Sequence, residues 1–205
     1  HEVYPTGNSE KGWFLDYAMC NSQFYEPGSD LVLDPGEVID CTFYNVKSGK
    51  IIVEKQTLPD GHEQSFEFNA NYNSNFYLVD NEQNDSGFLV PTGVGSQGTY
   101  SVSEIVPGYW DLTSATCDNG DAPSAITLDP GEIVTCVFTN TRHGNINIIK
   151  NTLGGDSSFD FGISGINPSP VIYTLDTSGG TVLESIYDLV PGTYGIEEVV
   201  PAGWD

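Results

Sequence analysis

The stretch Gly144–Lys150, GNINIIK, repeats a pattern used ninety-five positions earlier, where Gly49–Lys55 reads GKIIVEK. The echo continues through Asn151-Thr152-Leu153 against Gln56-Thr57-Leu58. Both copies alternate with the period of a strand. Ile51, Val53 and Lys55 therefore share one face, as do Ile146, Ile148 and Lys150. Each apolar face ends on a lysine. An ammonium at the end of an inward face is costly unless it is paired or loses its proton.

Outward from that strand the repeat covers nearly the whole chain. Residues 98–110, GTYSVSEIVPGYW, return as residues 192–204, GTYGIEEVVPAGW. Residues 127–140, TLDPGEIVTCVFTN, are anticipated by residues 32–45, VLDPGEVIDCTFYN. Ser65-Phe66-Glu67-Phe68 is answered by Ser158-Phe159-Asp160-Phe161, and Trp13 precedes Cys20 by the interval that separates Trp110 from Cys117. A period of about 95 residues is a whole domain repeated, longer than a solenoid unit.

Only one copy is complete, residues 49–142, with strands expected at 50–56, 64–70, 75–79, 87–90, 98–106, 110–117 and 132–140. Residues 1–48 carry the closing part of a repeat: the EVYP segment, the Trp-to-Cys segment and PGEVIDCTFYN. Residues 143–205 carry an opening part and stop before a Cys strand. The first residue is His rather than Met, so the chain is read as processed or as a segment of something longer.

Composition narrows the class. Twenty-nine acidic residues against 6 basic, a net charge of -23, argue against nucleic acid or an anionic membrane as partner. Charged residues are only 17% and aromatics 12%, which leaves material for packed cores. Gly (23) and Pro (12) cut the chain into short alternating runs without a helical stripe. No run approaches the roughly 20 apolar residues of a membrane helix. The expected fold is all-β: tandem immunoglobulin-like Greek-key sandwiches, the terminal ones incomplete within the chain.

Two arrangements follow. Either the chain is a slice of a longer tandem array, or the front half-domain of one copy completes the back half-domain of the next. A half sandwich leaves a strand edge and an apolar face uncovered, and both invite pairing. Unlike surfaces that pair without closing generate an open, head-to-tail filament. Residues 2–13 and 198–204 encode the same piece, which works against a neat exchange.

The motifs GKIIVEKQTLPDG, TYSVSEIVPGYWDLTSATC and LDPGEIVTCVFTNT, in that order, resemble the prealbumin-like (transthyretin-like, Cna B-type or SpaA-like) repeat domains of bacterial surface adhesins and pilins. The resemblance implies a β-sandwich in a stalk, fibre or adhesin, without enzymatic turnover.

Val134, Cys136, Phe138 and Asn140 share one parity, and so do Tyr100, Val102 and Glu104. Lys55, Glu104 and Asn140 thus each end an inward-looking apolar series. The resemblance implies an isopeptide bond between Lys55 and Asn140, promoted by Glu104 with loss of ammonia. The plain alternative is a Lys–Glu ion pair with Asn140 in a turn. Lys150 and Glu198 repeat Lys55 and Glu104 with no later Asn, while Asn45 repeats Asn140 with no earlier Lys in its own repeat. In a fibre, Lys150 of one copy would meet Asn45 of the next.

Cys20 and Cys41 occupy the repeat positions of Cys117 and Cys136, so pairing within each repeat is the natural connectivity among three; free buried thiols are the alternative. Disulfides belong to an oxidising, extracellular setting. With no C-x-x-C and no clustered His, no metal or cofactor is expected. The acidic loops Asp80–Asp85 and Cys117–Asp121 offer oxygen ligands but read as ordinary turns. Asn84 lies in a lone glycosylation sequon. His1, His62 and His143 have no motif partners and read as solvent-facing. No GxSxG or P-loop occurs, so no enzyme is expected. The rival reading is an adhesin module that binds a surface glycan or host protein through the Tyr- and Asn-rich stretch Asn69–Tyr77, whose rings also read as partly core.

Overall fold

The computed structural model describes residues 12–26, 28–95, 97–167 and 169–204. His1, the EVYP segment and Asp205 lie outside the described residues. Among the described residues every regular element is a strand, and no helix is long and apolar enough to cross a membrane. Contacts divide the chain into two compact units, residues 1–107 with 112–140 and residues 108–111 with 141–205.

The first unit begins with β1 (Trp13–Cys20), β2 (Gln23–Tyr25) and β3 (Cys41–Lys47). They form an antiparallel sheet in the order β2-β1-β3, with Trp13 opposite Lys47 and Cys20 opposite Cys41. Asn21 and Ser22, both at positive φ, turn the chain between β1 and β2. Asn21 Oδ1 then receives the Asp40 amide, which brings β3 alongside β1.

The rest of the unit is a two-sheet sandwich. Its strands are β4 (Lys50–Leu58), β5 (Phe66–Ala70), β6 (Phe76–Leu78), β7 (Gln83–Asp85), β8 (Val102–Ile105), β9 (Trp110–Cys117) and β10 (Ile133–Arg142). One sheet runs β7-β4-β10-β9, the other β6-β5-β8. Alternation sends Ile51, Val53, Lys55 and Thr57 inward from β4, and Val134, Cys136, Phe138 and Asn140 inward from β10. Phe68 joins the sheets, stacked on Phe76 at 5.3 Å and edge-on to Phe138 at 5.1 Å. Each such buried side chain contributes roughly 1.5–3 kcal/mol.

The strand expected at 87–90 is corrected. The edge strand is Gln83–Asp85, paired to Ile52–Glu54, and Leu89 makes a single bridge to Gly49. Polar side chains suit an edge, where Lys50 pairs with Asp85 and Gln83 donates to Glu54. The expected 98–106 strand shortens to Val102–Ile105, preceded by a bridge between Tyr100 and Ile126.

The second unit contains β11 (Gly144–Lys150), β12 (Ser158–Ser164), β13 (Val171–Asp176), β14 (Val182–Leu189) and β15 (Gly195–Val199). Its sheets are β11-β14 and β13-β12-β15. The core between them is Ile148, Phe159, Phe161, Ile163, Leu175, Ile186 and Leu189. Trp204 packs edge-on to Phe159 at 5.2 Å.

Candidate cross-link site

Lys55 comes from β4 and Asn140 from the neighbouring strand β10 of the same sheet; Glu104 reaches them from β8 in the facing sheet. All three side chains point inward because each occupies the buried parity of its strand. Lys55 and Asn140 are 0% exposed, as is the Glu104 side chain.

The Lys55 Nζ donates to Asn140 Oδ1 at 2.8 Å, to the Gln56 carbonyl at 2.6 Å and to the Phe138 carbonyl at 3.2 Å. It lies 4.1 Å from the Phe66 ring centroid and 3.5 Å from Glu104 Oε1. The amine is thus closer to the amide oxygen than to the carboxylate, which is not how a simple ion pair orders its contacts. Both Glu104 oxygens and Asn140 Nδ2 lack a hydrogen-bond partner of normal geometry. Orphaned buried polar atoms are rare and expensive, and three of them meet at this point.

Burial dominates the electrostatics. It pushes the Lys55 amine below its ordinary range, opposed by the nearby Glu104 charge. It pushes the Glu104 carboxyl above its ordinary range, opposed by Lys55. Both shifts favour the uncharged forms, an amine nucleophile and a carboxylic acid. A lysine, an asparagine and a glutamate therefore meet in a dry core that biases both titrating groups toward their uncharged forms.

The second unit repeats two of these parts. Lys150 Nζ lies 2.6 Å from Glu198 Oε1 and 4.0 Å from the centroid of the Phe159 ring, as Lys55 lies over Phe66. Here the side chains are 19% and 29% exposed. Asn45 stands on β3 opposite Leu15 and is exposed, whereas its equivalent Asn140 is buried.

Disulfides join Cys20 to Cys41 and Cys117 to Cys136. The second ties β9 to β10, while the Lys55–Asn140 contact ties β4 to β10. A disulfide and a cross-link would fasten different seams of one sheet and do not compete.

Asn84 of the sequon is half-buried on β7, opposite Val53. The acidic loops use their oxygens on the chain itself. Asp80 receives the amides of Thr57 and Gly61, and Asp121 receives the amide and hydroxyl of Thr127.

Reading His143 as solvent-facing is corrected: its side chain is mostly buried in the second unit. Nδ1 meets Asp188, and Nε2 lies 3.0 Å from Asp111. The Asp188 hydrogen bond, opposed by burial, raises its pKa above 6.5. Both aspartates are distant in sequence, so no local spacing announces them.

Residues 51–142 match the family model of the SpaA-type prealbumin-like fold domain. No curated protein matches the chain. The match supports a structural module of the surface pilin and adhesin type, and the two disulfides agree with an extracellular setting. Lys55, Glu104 and Asn140 fall inside the matched segment; Asn45, Lys150 and Glu198 fall outside it.

Proposed function

We propose that the chain is a non-enzymatic structural segment of an extracellular surface fibre or stalk, built head to tail from copies of itself. The middle sandwich is locked by a Lys55–Asn140 isopeptide bond, and the flanking parts are completed by strands from neighbouring copies. The observation that carries this reading is a contrast at equivalent positions. Leu128 is 1% exposed but Leu33 is 62%; Phe138 is 2% and Phe43 39%; Val102 is 3% and Ile196 49%. Apolar residues at repeat positions that are buried in the middle sandwich thus stand exposed before and on β3 and on β15, as on surfaces that take a partner.

In the locked sandwich the neutral Lys55 amine attacks Asn140 Cγ while protonated Glu104 polarises the amide carbonyl. The Nζ–Cγ bond forms, the Cγ–Nδ2 bond breaks, and Nδ2 leaves as ammonia with a proton relayed from Nζ. The event occurs once per molecule and acts on no external substrate.

Light scattering and negative-stain imaging of residues 1–205 test the fibre. Association that grows with concentration, and filaments, are expected; a monodisperse monomer at high concentration overturns it. Intact mass tests the lock: a deficit of about 17 Da is expected, and full calculated mass sinks it.

The adhesin alternative, with a glycan or host ligand as partner, draws no specific support from Asn69–Tyr77. Tyr72 packs on Tyr100 and Phe76 stacks on Phe68, which leaves Tyr77 as the exposed ring.

A further inference from the structure

Three aromatic rings cross the sheet of β1, β2 and β3 in a row. Tyr17 of β1 stacks on its partner Tyr44 of β3 at 4.3 Å between centroids, and meets Phe24 of β2 at 5.9 Å. Cys41, Phe43 and Asn45 hold the repeat positions of Cys136, Phe138 and Asn140, whose side chains are buried in the middle sandwich. Tyr44 lies between them, so alternation puts it, and Tyr17 opposite it, on the other face of the sheet. The residues at these two repeat positions in the middle sandwich are Thr139 and Ser114. Two rings thus replace two hydroxyl side chains on a face that points away from where a second sheet packs.

Beside the row lies a cleft of about 450 Å³, lined among others by Asp16, Tyr17, Phe24, Tyr25 and Glu26. β2 forms one wall, on the flank of β1 turned away from β3. The register shifts at Asp16, between Leu15 and Tyr17, and such a bulge re-aims a side chain. The Tyr25 hydroxyl donates to the Ser29 carbonyl at 2.7 Å, and the Ser29 amide donates to the Glu26 carbonyl at 3.0 Å. The turn that carries Glu26 is therefore fixed by a ring of the cleft itself. Among the described residues neither the Asp16 nor the Glu26 carboxylate has a hydrogen-bond or ion-pair partner, and no basic side chain lines the cleft.

We propose that this cleft binds a cationic side chain, lysine or arginine, of a basic polypeptide partner. Ring faces attract a cation through their quadrupole, and the two carboxylates add full charges of the matching sign. The hydrocarbon stem of such a side chain also covers aromatic surface while its head stays with the acids. An anionic ligand meets the opposite field, in a chain of net charge -23. A neutral sugar would use the rings and leave both carboxylates uncompensated. The site lies within one copy and holds whether or not copies associate.

The test is an NMR titration of residues 1–205 with acetyl-Gly-Lys-Gly-amide and its arginine form. The norleucine form, which keeps the stem and lacks the charge, and choline are run beside them. Saturable shifts are expected at Tyr17, Phe24, Tyr25 and Glu26 with the lysine and arginine peptides, and none with norleucine. Phe24→Ala and Tyr17→Ser keep the net charge and should weaken binding about fivefold or more. Phe24 is 81% exposed, so its removal spares the fold even where Tyr17→Ser disturbs the β1–β3 pairing. Asp16→Asn with Glu26→Gln keeps the rings and should weaken binding comparably. Shifts spread over the acidic surface and indifferent to Phe24→Ala would mean counterion attraction alone and overturn the site. Equal binding of the norleucine peptide overturns the cation, and binding of choline without either peptide overturns the polypeptide partner.

Discussion

Lys55 and Lys150 are one residue used twice. Each ends the inward face of the opening strand of its repeat, lies over a phenylalanine ring and faces a glutamate. They differ in what covers them. Beside Lys55, β10 closes the sheet and brings Asn140, and water is excluded; beside Lys150 no described strand takes that place. The comparison teaches that how deeply the lysine is buried depends on the strands around it rather than on the lysine itself.

The largest effect should come from removing each lysine in turn. Lys55→Ala leaves Glu104 and Asn140 buried without their partner, and should cost about 3–5 kcal/mol in denaturant unfolding of the middle sandwich. Lys150→Ala breaks a partly exposed pair in the single copy and should cost about 1 kcal/mol or less. Equal costs at low protein concentration would erase the distinction drawn between the two sites.

Reduction should separate the regions next. The disulfides span 21 and 19 residues, so each loop is worth about 3 kcal/mol in the chain-entropy model. The middle sandwich retains Phe66, Phe68, Ile126 and Leu128 in its core, while the β1–β3 sheet has Ala18 and Cys20 as its buried apolar side chains. Hydrogen exchange after reductant should therefore show β1 and β3 losing protection well before β9 and β10. Simultaneous loss would mean that core size does not set the order.

Glu104→Gln sharpens the electrostatic side. Gln keeps the shape but removes the acid, so the mass deficit at Lys55–Asn140 should form far more slowly or not at all. Undiminished conversion in this variant would remove Glu104 from the reaction.

The smallest effect concerns His143. Its folded pKa is raised above 6.5, chiefly by Asp188. The imidazolium therefore stabilises the second unit fully below pH 6.5, and that contribution is lost as pH rises through the raised value. A modest fall in melting temperature across that window is expected, and His143→Asn should flatten it. A parent profile already flat there would contradict the Asp111–His143–Asp188 contact.

The all-β reading was available from alternation and turn residues, since Ile51, Val53 and Lys55 can share a buried face only in a strand. The place of the edge strand was not. Gln83–Asp85 looks like a loop in sequence, because an edge strand pairs through its backbone and tolerates polar side chains. His143 was equally opaque, its partners being distant in the chain.

The sequence by itself determined the period of the repeat, the parity of each strand and hence which residues face inward, because alternation is a local property of extended backbone. Only the tertiary structure decided that Lys55, Glu104 and Asn140 converge out of reach of solvent, and that Lys150 and Glu198 are less completely buried. Convergence and desolvation depend on which strands lie side by side and which sheet lies opposite. Those are facts about distant segments that no local pattern contains.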